Sequence, residues 1–269
     1  MPYFSPFTIP LMNKFALITG ASKGIGKELA TSLARRGYHL LLVSRSEKEL
    51  SALADSLQQL YAIKANYLAC DLSEPGASAK VAAWSKTQTT SLTVLINNAG
   101  YGLWGNFADL ELKDQTNMLN LNITAVIELS HLVLPQLKHA SPAYILNLSS
   151  TAAYQPVPAL ALYSASKSFI LSFSRALRYE LKDTNISVSC LCPGPTDTGF
   201  ASRAGMDALA ALADKFNMSP VIVAESGLKG MFHKKAEIVP GLLNKLSVIG
   251  VSLLPKTLIE RITTSLYKH

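Results

Sequence analysis

Apolar residues cluster in short runs that alternate with stretches of helical period along most of the chain. Residues 15–19 form the first run, a glycine-bearing turn follows, and residues 25–36 read as a helix that Gly37 closes. Residues 38–43 are a second strand, 47–60 a helix, 63–69 a third strand and 75–86 another helix. Residues 92–96, 144–148 and 186–191 continue the strands, with long helical stretches at 114–138 and 162–182 between them. Residues 238–240 read as a short last strand, and beyond about residue 195 the pattern is less regular.

Strands alternating with helices imply βαβ units, right-handed crossovers and a parallel sheet covered on both faces. The expected fold is therefore α/β, a single-domain Rossmann fold with a doubly wound parallel sheet of about seven strands. Ligands of such sheets bind outside the carboxyl ends of the strands, so the residues that follow each strand carry the chemistry. With 269 residues, 49% apolar and 16% charged, the chain suits one large-cored globular domain rather than a disordered segment. That domain is expected to run over residues 14–269, after an extension at 1–13. The extension has three prolines and no basic start, so a signal peptide is not expected.

The glycine turn is the first such site. Gly20, Ser22, Lys23, Gly24, Ile25 and Gly26 follow the first strand and open a helix, where backbone N–H groups and the helix dipole favour an anion. Gly20-Ala21-Ser22-Lys23-Gly24 also fits the GxSxG elbow of serine hydrolases, but only one strand precedes it and no Asp–His pair follows. The formal charge of +7 agrees with a phosphate-bearing small molecule. No basic–aromatic run or zinc-finger spacing points to nucleic acid. The second strand ends at Ser44-Arg45, where an NAD-binding protein would present an acid to the ribose 2′-hydroxyl. A guanidinium there, with Lys23 beside it, suits the 2′-phosphate of NADP(H), although isolated basic residues are ordinarily just solvated.

The catalytic candidates come later in the chain. Asn97-Asn98-Ala99-Gly100 follows the fourth strand, Ser150 ends the fifth, and Tyr163-Ser164-Ala165-Ser166-Lys167 opens a helix. Residues four apart share a helix face, so Tyr163 and Lys167 can point together, and a neighbouring cation favours ionisation of a phenol that ordinarily titrates near pH 10. Ser164 to Lys167 also fits SxxK, but the partner motifs of penicillin-binding enzymes are missing.

Taken together, the Thr19-led glycine turn, Asn98-Ala99-Gly100, Asn122, Ser150 and the YxxxK pair resemble the short-chain dehydrogenase/reductase family from residue 14 to about 240. The resemblance implies an NADPH-dependent oxidoreductase that reduces a ketone or aldehyde, or runs the reverse. It implies that Ser150 polarises the carbonyl, Tyr163 donates the proton, Lys167 activates Tyr163 and binds the nicotinamide ribose, and Asn122 holds a relay water. It also places Asp71 and Leu72 beside the adenine, Asp71 being equally able to cap a helix. Pro193, Gly194, Thr196 and Thr198 would meet the nicotinamide end, in a loop resembling the family's PG-x-x-x-T. A homodimer or homotetramer is expected. The rival reading is a non-catalytic NADP-binding or interaction protein on the same fold.

The substrate side is less sharply marked. A lid is expected at about 195–220, with one or two helices at 201–213. Tyr101, Trp104, Tyr154, Phe200 and Met206 are lining candidates that would suit an apolar substrate such as a fatty-acyl, steroid-like or xenobiotic carbonyl, or are ordinary packing residues. The tail at about 238–269 is apolar and basic but broken by Pro240, Asn244 and Lys245. It packs on the body or a subunit partner, or makes a weak membrane-surface contact. Cys70, Cys190 and Cys192 lack disulfide spacing and suit the cytoplasm, with Cys190 and Cys192 on one strand face as core. The five histidines form no metal motif, and no metal is expected.

Overall fold

The computed structural model describes residues 14–199, 217–255 and 259. The strands are β1 (Phe15–Thr19), β2 (His39–Ser44), β3 (Ala65–Ala69), β4 (Leu92–Asn97), β5 (Ala143–Leu148), β6 (Ile186–Leu191) and β7 (Glu237–Ile238). The helices are α1 (Gly24–Arg35), α2 (Glu47–Tyr61), α3 (Ala77–Gln88), α4 (Leu112–Leu119), α5 (Ala125–Lys138), α6 (Ala161–Glu180), α7 (Pro220–Phe232) and α8 (Leu242–Leu253). All strand pairs are parallel, in the order β3-β2-β1-β4-β5-β6-β7.

The central strands are buried and mainly apolar because both their faces are covered. Successive side chains alternate between two cores. Ala16, Ile18, Leu40, Leu42, Val94 and Ile96 pack under α1, α2 and α7, meeting Leu29, Leu33, Leu50, Val223 and Leu228. Phe15, Leu17, Leu41, Val43, Leu92 and Leu95 point the other way, to Val81 of α3 and to Leu129, Val133 and Leu137 of α5. The run Leu112–Lys138 has the length and composition of a membrane span, yet its α5 portion is a wall of this second core. α6 continues that layer, with Ile170 against Val126, Cys190 and Cys192. The two thiols lie 3.8 Å apart and are fully buried, as the strand spacing predicts. α7 is tied to α1 where Glu225 accepts from Ser32 Oγ and Arg36 Nη2, both at 2.6 Å.

Several boundaries differ from expectation. β3 starts at Ala65, not residue 63, because Ala62 adopts a left-handed conformation (φ 51°) to close α2, which turns Ile63 into the core. α3 starts at Ala77, after Gly76 has turned the chain at φ 77°. The stretch expected as one helix over 114–138 is two, α4 and α5, joined by a π-helical turn at Asn120–Thr124. The last strand is Glu237–Ile238, and two helices, α7 and α8, occupy the region that looked irregular. Residues 1–13, the expected helices at 201–213, and Phe200 and Met206 lie outside the described residues.

Candidate active site

The chain leaves β1 toward β2 on one side and leaves β4 toward β5 on the other, so these neighbours mark the point where strand order reverses and a crevice opens. Thr19 joins the two strand ends. Its Oγ1 donates to the Ile96 carbonyl at 3.3 Å and accepts from the N–H groups of Asn98 and Ala99, each at 3.0 Å. Asn98 Nδ2 returns bonds to the carbonyls of Thr19 (2.9 Å) and Gly20 (3.1 Å). The asparagine motif therefore braces the glycine turn from behind.

The turn has no room for side chains. A Cβ on Gly24, which sits at φ 53°, would stand 2.8 Å from Thr198 Cβ, and one on Gly26 would overlap the Gly20 carbonyl. Lys23 precedes α1 without a side-chain capping bond, and the first turn of α1 holds no acid. Its N–H donors and dipole are thus left to an anion. Gly26→Ala is expected to weaken dinucleotide binding about tenfold by displacing this backbone. Titration of nucleotide fluorescence measures it, and unchanged affinity would refute the cradle.

A groove of about 550 Å³ runs from this turn across the strand ends. It brings together Gly20, Ser22, Lys23, Gly24, Ile25 and Gly26 with Ser44, Arg45, Asp71, Leu72, Asn98, Ala99, Gly100 and Thr198. Pro193, Gly194 and Thr196, expected to join them, do not line it. The open side of Gly194 is filled by the Asn244 amide of α8, and Thr196 turns its Oγ1 to the Gly194 carbonyl at 2.9 Å while bridging to Met218.

Both cations of the groove are on its rim. Arg45, 66% exposed, is 3.5 Å from Asp71, and Lys23, 56% exposed, is 2.7 Å from Glu49. Ion pairs this exposed are worth little, so either cation can turn to an incoming phosphate at small cost. Burial alone would raise the Asp71 carboxyl, but bonds from the Ser73 N–H (3.0 Å) and hydroxyl (2.7 Å), with Arg45, hold it below its ordinary value. Asp71 thus closes its own turn and faces the groove as well.

Gly100 leads from the groove to the four catalytic candidates. A Cβ there would lie 2.9 Å from Asn122 Oδ1 and 3.3 Å from Lys167 Nζ. Asn122 sits in the π-helical turn, a widening that recurs at functional sites. Its amide exchanges bonds with the Tyr101 backbone, at 3.1 and 3.0 Å, and donates to Ser166 Oγ at 3.1 Å. Lys167 is buried, with Nζ 5.7 Å from the centre of the Tyr163 ring and 3.1 Å from the Leu148 carbonyl. Burial lowers its pKa to about 8, against the opposing pull of Cys190 and Cys192. Ser149 donates to the Lys167 carbonyl at 2.7 Å, anchoring α6 to the end of β5. Ser150 Oγ accepts from the Ala152 N–H at 3.1 Å, which leaves its own O–H for a further acceptor.

Tyr163 packs with Met118, Val157 and Leu160, and Tyr101, Leu103 and Trp104 border this apolar wall. Tyr154 instead packs against the Val126, Ile170, Cys190 and Cys192 cluster and donates at 2.5 Å to Glu237, which also pairs with Arg175. Sequence reasoning missed Ser46, Cys70, Leu103, Asp114 and Leu121, which also line the groove. Ser46 and Cys70 adjoin residues already singled out, while Asp114 reaches the groove from α4 and carries no local signal.

A sequence model described as short chain dehydrogenase matches residues 14–208. The chain is 36% identical over 189 residues to very-long-chain 3-oxoacyl-CoA reductase-A of Danio rerio, a match covering 68% of this chain and 58% of that one. It thus spans less than two thirds of that relative's length. Among solved structures, a short-chain dehydrogenase from Sphingobium yanoikuyae in complex with NADPH superposes with a TM-score of 0.79 at 29% identity, over 90% of this chain and 96% of that one. A short-chain dehydrogenase/reductase from Burkholderia phymatum in complex with NAD gives the same TM-score at 23% identity, over 88% and 92%, and this likeness is one of fold.

Proposed function

Because the chain belongs to the short-chain dehydrogenase family, we propose that this oxidoreductase uses NADPH to reduce an apolar ketone or aldehyde, foremost a fatty-acyl 3-ketone, and can run the reverse. The observation that carries the reading is the buried Lys167 ammonium beside the Tyr163 ring, one glycine away from a phosphate-accepting groove. A bound NADPH would supply the hydride. The side-chain-free turn, the uncapped start of α1 and the rim cations Arg45 and Lys23 fit its pyrophosphate and 2′-phosphate.

The rest of the chemistry is the chain's own. Ser150 donates its O–H to the substrate carbonyl and Tyr163 gives a proton to the forming alkoxide. Lys167 stabilises the phenolate left behind, and the π-helical turn keeps Asn122 beside it for a proton relay. The wall of Met118, Val157 and Leu160 supports an apolar substrate, as does the name of the Danio rerio relative. The steroid-like and xenobiotic carbonyls share that chemistry and belong in the same assay. Three free thiols support a cytoplasmic, reducing setting. Exposed Leu112 and Ile127 on α4 and α5 offer apolar contacts for a homodimer or homotetramer.

Loss of NADPH absorbance with 3-oxoacyl thioesters of increasing chain length, steroid ketones, quinones and aldehydes tests the reading. Turnover that rises with acyl length is expected, and none with any carbonyl would leave the non-catalytic binding role. A pH profile tests the lysine. The folded pKa of Lys167 lies below its unfolded value, so the ammonium persists below about pH 8 and is lost above it. The kcat/KM for reduction should be level on the acid side of that value and then fall by about tenfold per pH unit. A flat profile across this range would remove Lys167 from the proton path.

A further inference from the structure

Helix α8 turns its large apolar side chains away from the protein. Asn244, Val248 and Val251 are partly covered, and the Asn244 amide bonds the Pro240 carbonyl at 2.9 Å and Met218 Sδ at 3.3 Å. Leu242, Leu246, Ile249 and Leu253 recur at one face of a 3.6-residue period, and they are 72%, 56%, 56% and 79% exposed. Such an outward stripe over three turns is far from the scattered single apolar residues of an ordinary surface. Lys245, the only charged residue of α8, flanks it.

Charge selects what covers the stripe. From residue 238 onward the chain carries Lys245, Lys256, Arg261 and Lys268 against the single acid Glu260. In the described segment 217–255 the two acids are already engaged, Glu225 with Arg36 and Glu237 with Arg175. A second copy packed about a two-fold axis would bring Lys245 toward its own counterpart, with no acid on either helix to answer. An anionic surface meets the cations and buries the leucines together.

We propose that α8 is an interfacial helix that lays Leu242, Leu246, Ile249 and Leu253 into the headgroup–acyl boundary of an anionic lipid bilayer, with Lys245 at the level of the phosphates. Asn244 occupies the open side of Gly194, so docking would seat the loop after β6 against the bilayer. The proposal goes beyond the reductase reading and stands without it.

Flotation of the full chain with phosphatidylcholine vesicles, with and without roughly one lipid in three replaced by phosphatidylglycerol, tests it. Binding to the anionic vesicles is expected, weaker by about tenfold without the anionic lipid or at high salt. Substituting Leu246→Asn, Ile249→Asn and Leu253→Asn together should lower it by at least about tenfold at an unchanged unfolding temperature. Lys245→Glu, which leaves the apolar stripe intact, should weaken binding in the same direction. No flotation of the unaltered chain, or undiminished flotation of both variants, overturns the proposal. So does a dimer that the triple substitution splits while vesicles recruit nothing, which would make the stripe a subunit contact.

Discussion

Tyr163→Phe is expected to lower kcat for carbonyl reduction by about a thousandfold while changing NADPH affinity by no more than about threefold. Phenylalanine keeps the ring against Met118, Val157 and Leu160, so the wall and the unfolding temperature should survive. Lys167 keeps its bond to the Leu148 carbonyl, and Ser150 keeps its O–H for the substrate. What disappears is the phenolic O–H set beside a buried ammonium, and a thousandfold corresponds to about 4 kcal/mol of the barrier. The loss should fall on kcat, because proton transfer belongs to the transition state. Single-turnover and steady-state rates on the same substrate measure the split. Activity within about tenfold of the unaltered enzyme would assign proton transfer elsewhere.

The parts of this site that were legible in sequence are those fixed by short-range geometry. A strand, a glycine turn and a helix occupy 15–35, and the turn's glycines are needed because Asn98, Thr198 and the Gly20 carbonyl leave no room for a Cβ. A spacing of four positions from Tyr163 to Lys167 puts both on the inner side of α6, and both are buried. The strand runs were readable because coverage on both faces leaves few polar residues in them. What escaped depends on long-range partners. A π-helical turn adds a residue without changing composition, so 114–138 reads as one helix although Asn122 needs the break to meet Tyr101 and Ser166.

The C-terminal third shows the same limit more strongly. α7 is apolar nearly all round and offers no clear stripe, because Val223 and Leu228 enter the core while Val221 and Ile222 remain exposed. α8 inverts the usual rule by facing its leucines outward, so its pattern gives no sign that Asn244 is the inward residue. Pro193 and Gly194 are absent from the groove's lining, and the side of Gly194 left open by the missing Cβ is taken by a helix whose orientation no local pattern disclosed.

Arg45→Ala should raise the KM for NADPH by about a hundredfold and leave that for NADH within about threefold. Arg45 follows directly on Ser44 at the end of β2, on the groove's rim, where among the described residues a 3.5 Å pair to Asp71 holds it. In that setting a bidentate, charge-assisted contact with a phosphate is worth about 1.5–3 kcal/mol, and each 1.4 kcal/mol is a factor of ten. Lys23 stays behind, so some preference for the phosphorylated cofactor should remain until Lys23→Ala is added. The two substitutions should then prove less than additive if both cations grip one phosphate. Removing Arg45 also releases Asp71 from a neighbouring cation, which raises its carboxyl toward the ordinary range but leaves the Ser73 bonds in place. The turn after β3 should therefore persist, and the change should be confined to cofactor choice. Steady-state titrations with both nucleotides decide it: equal losses for NADPH and NADH would show that Arg45 shapes the groove without reading the 2′-phosphate, and no loss for either would return it to the solvent.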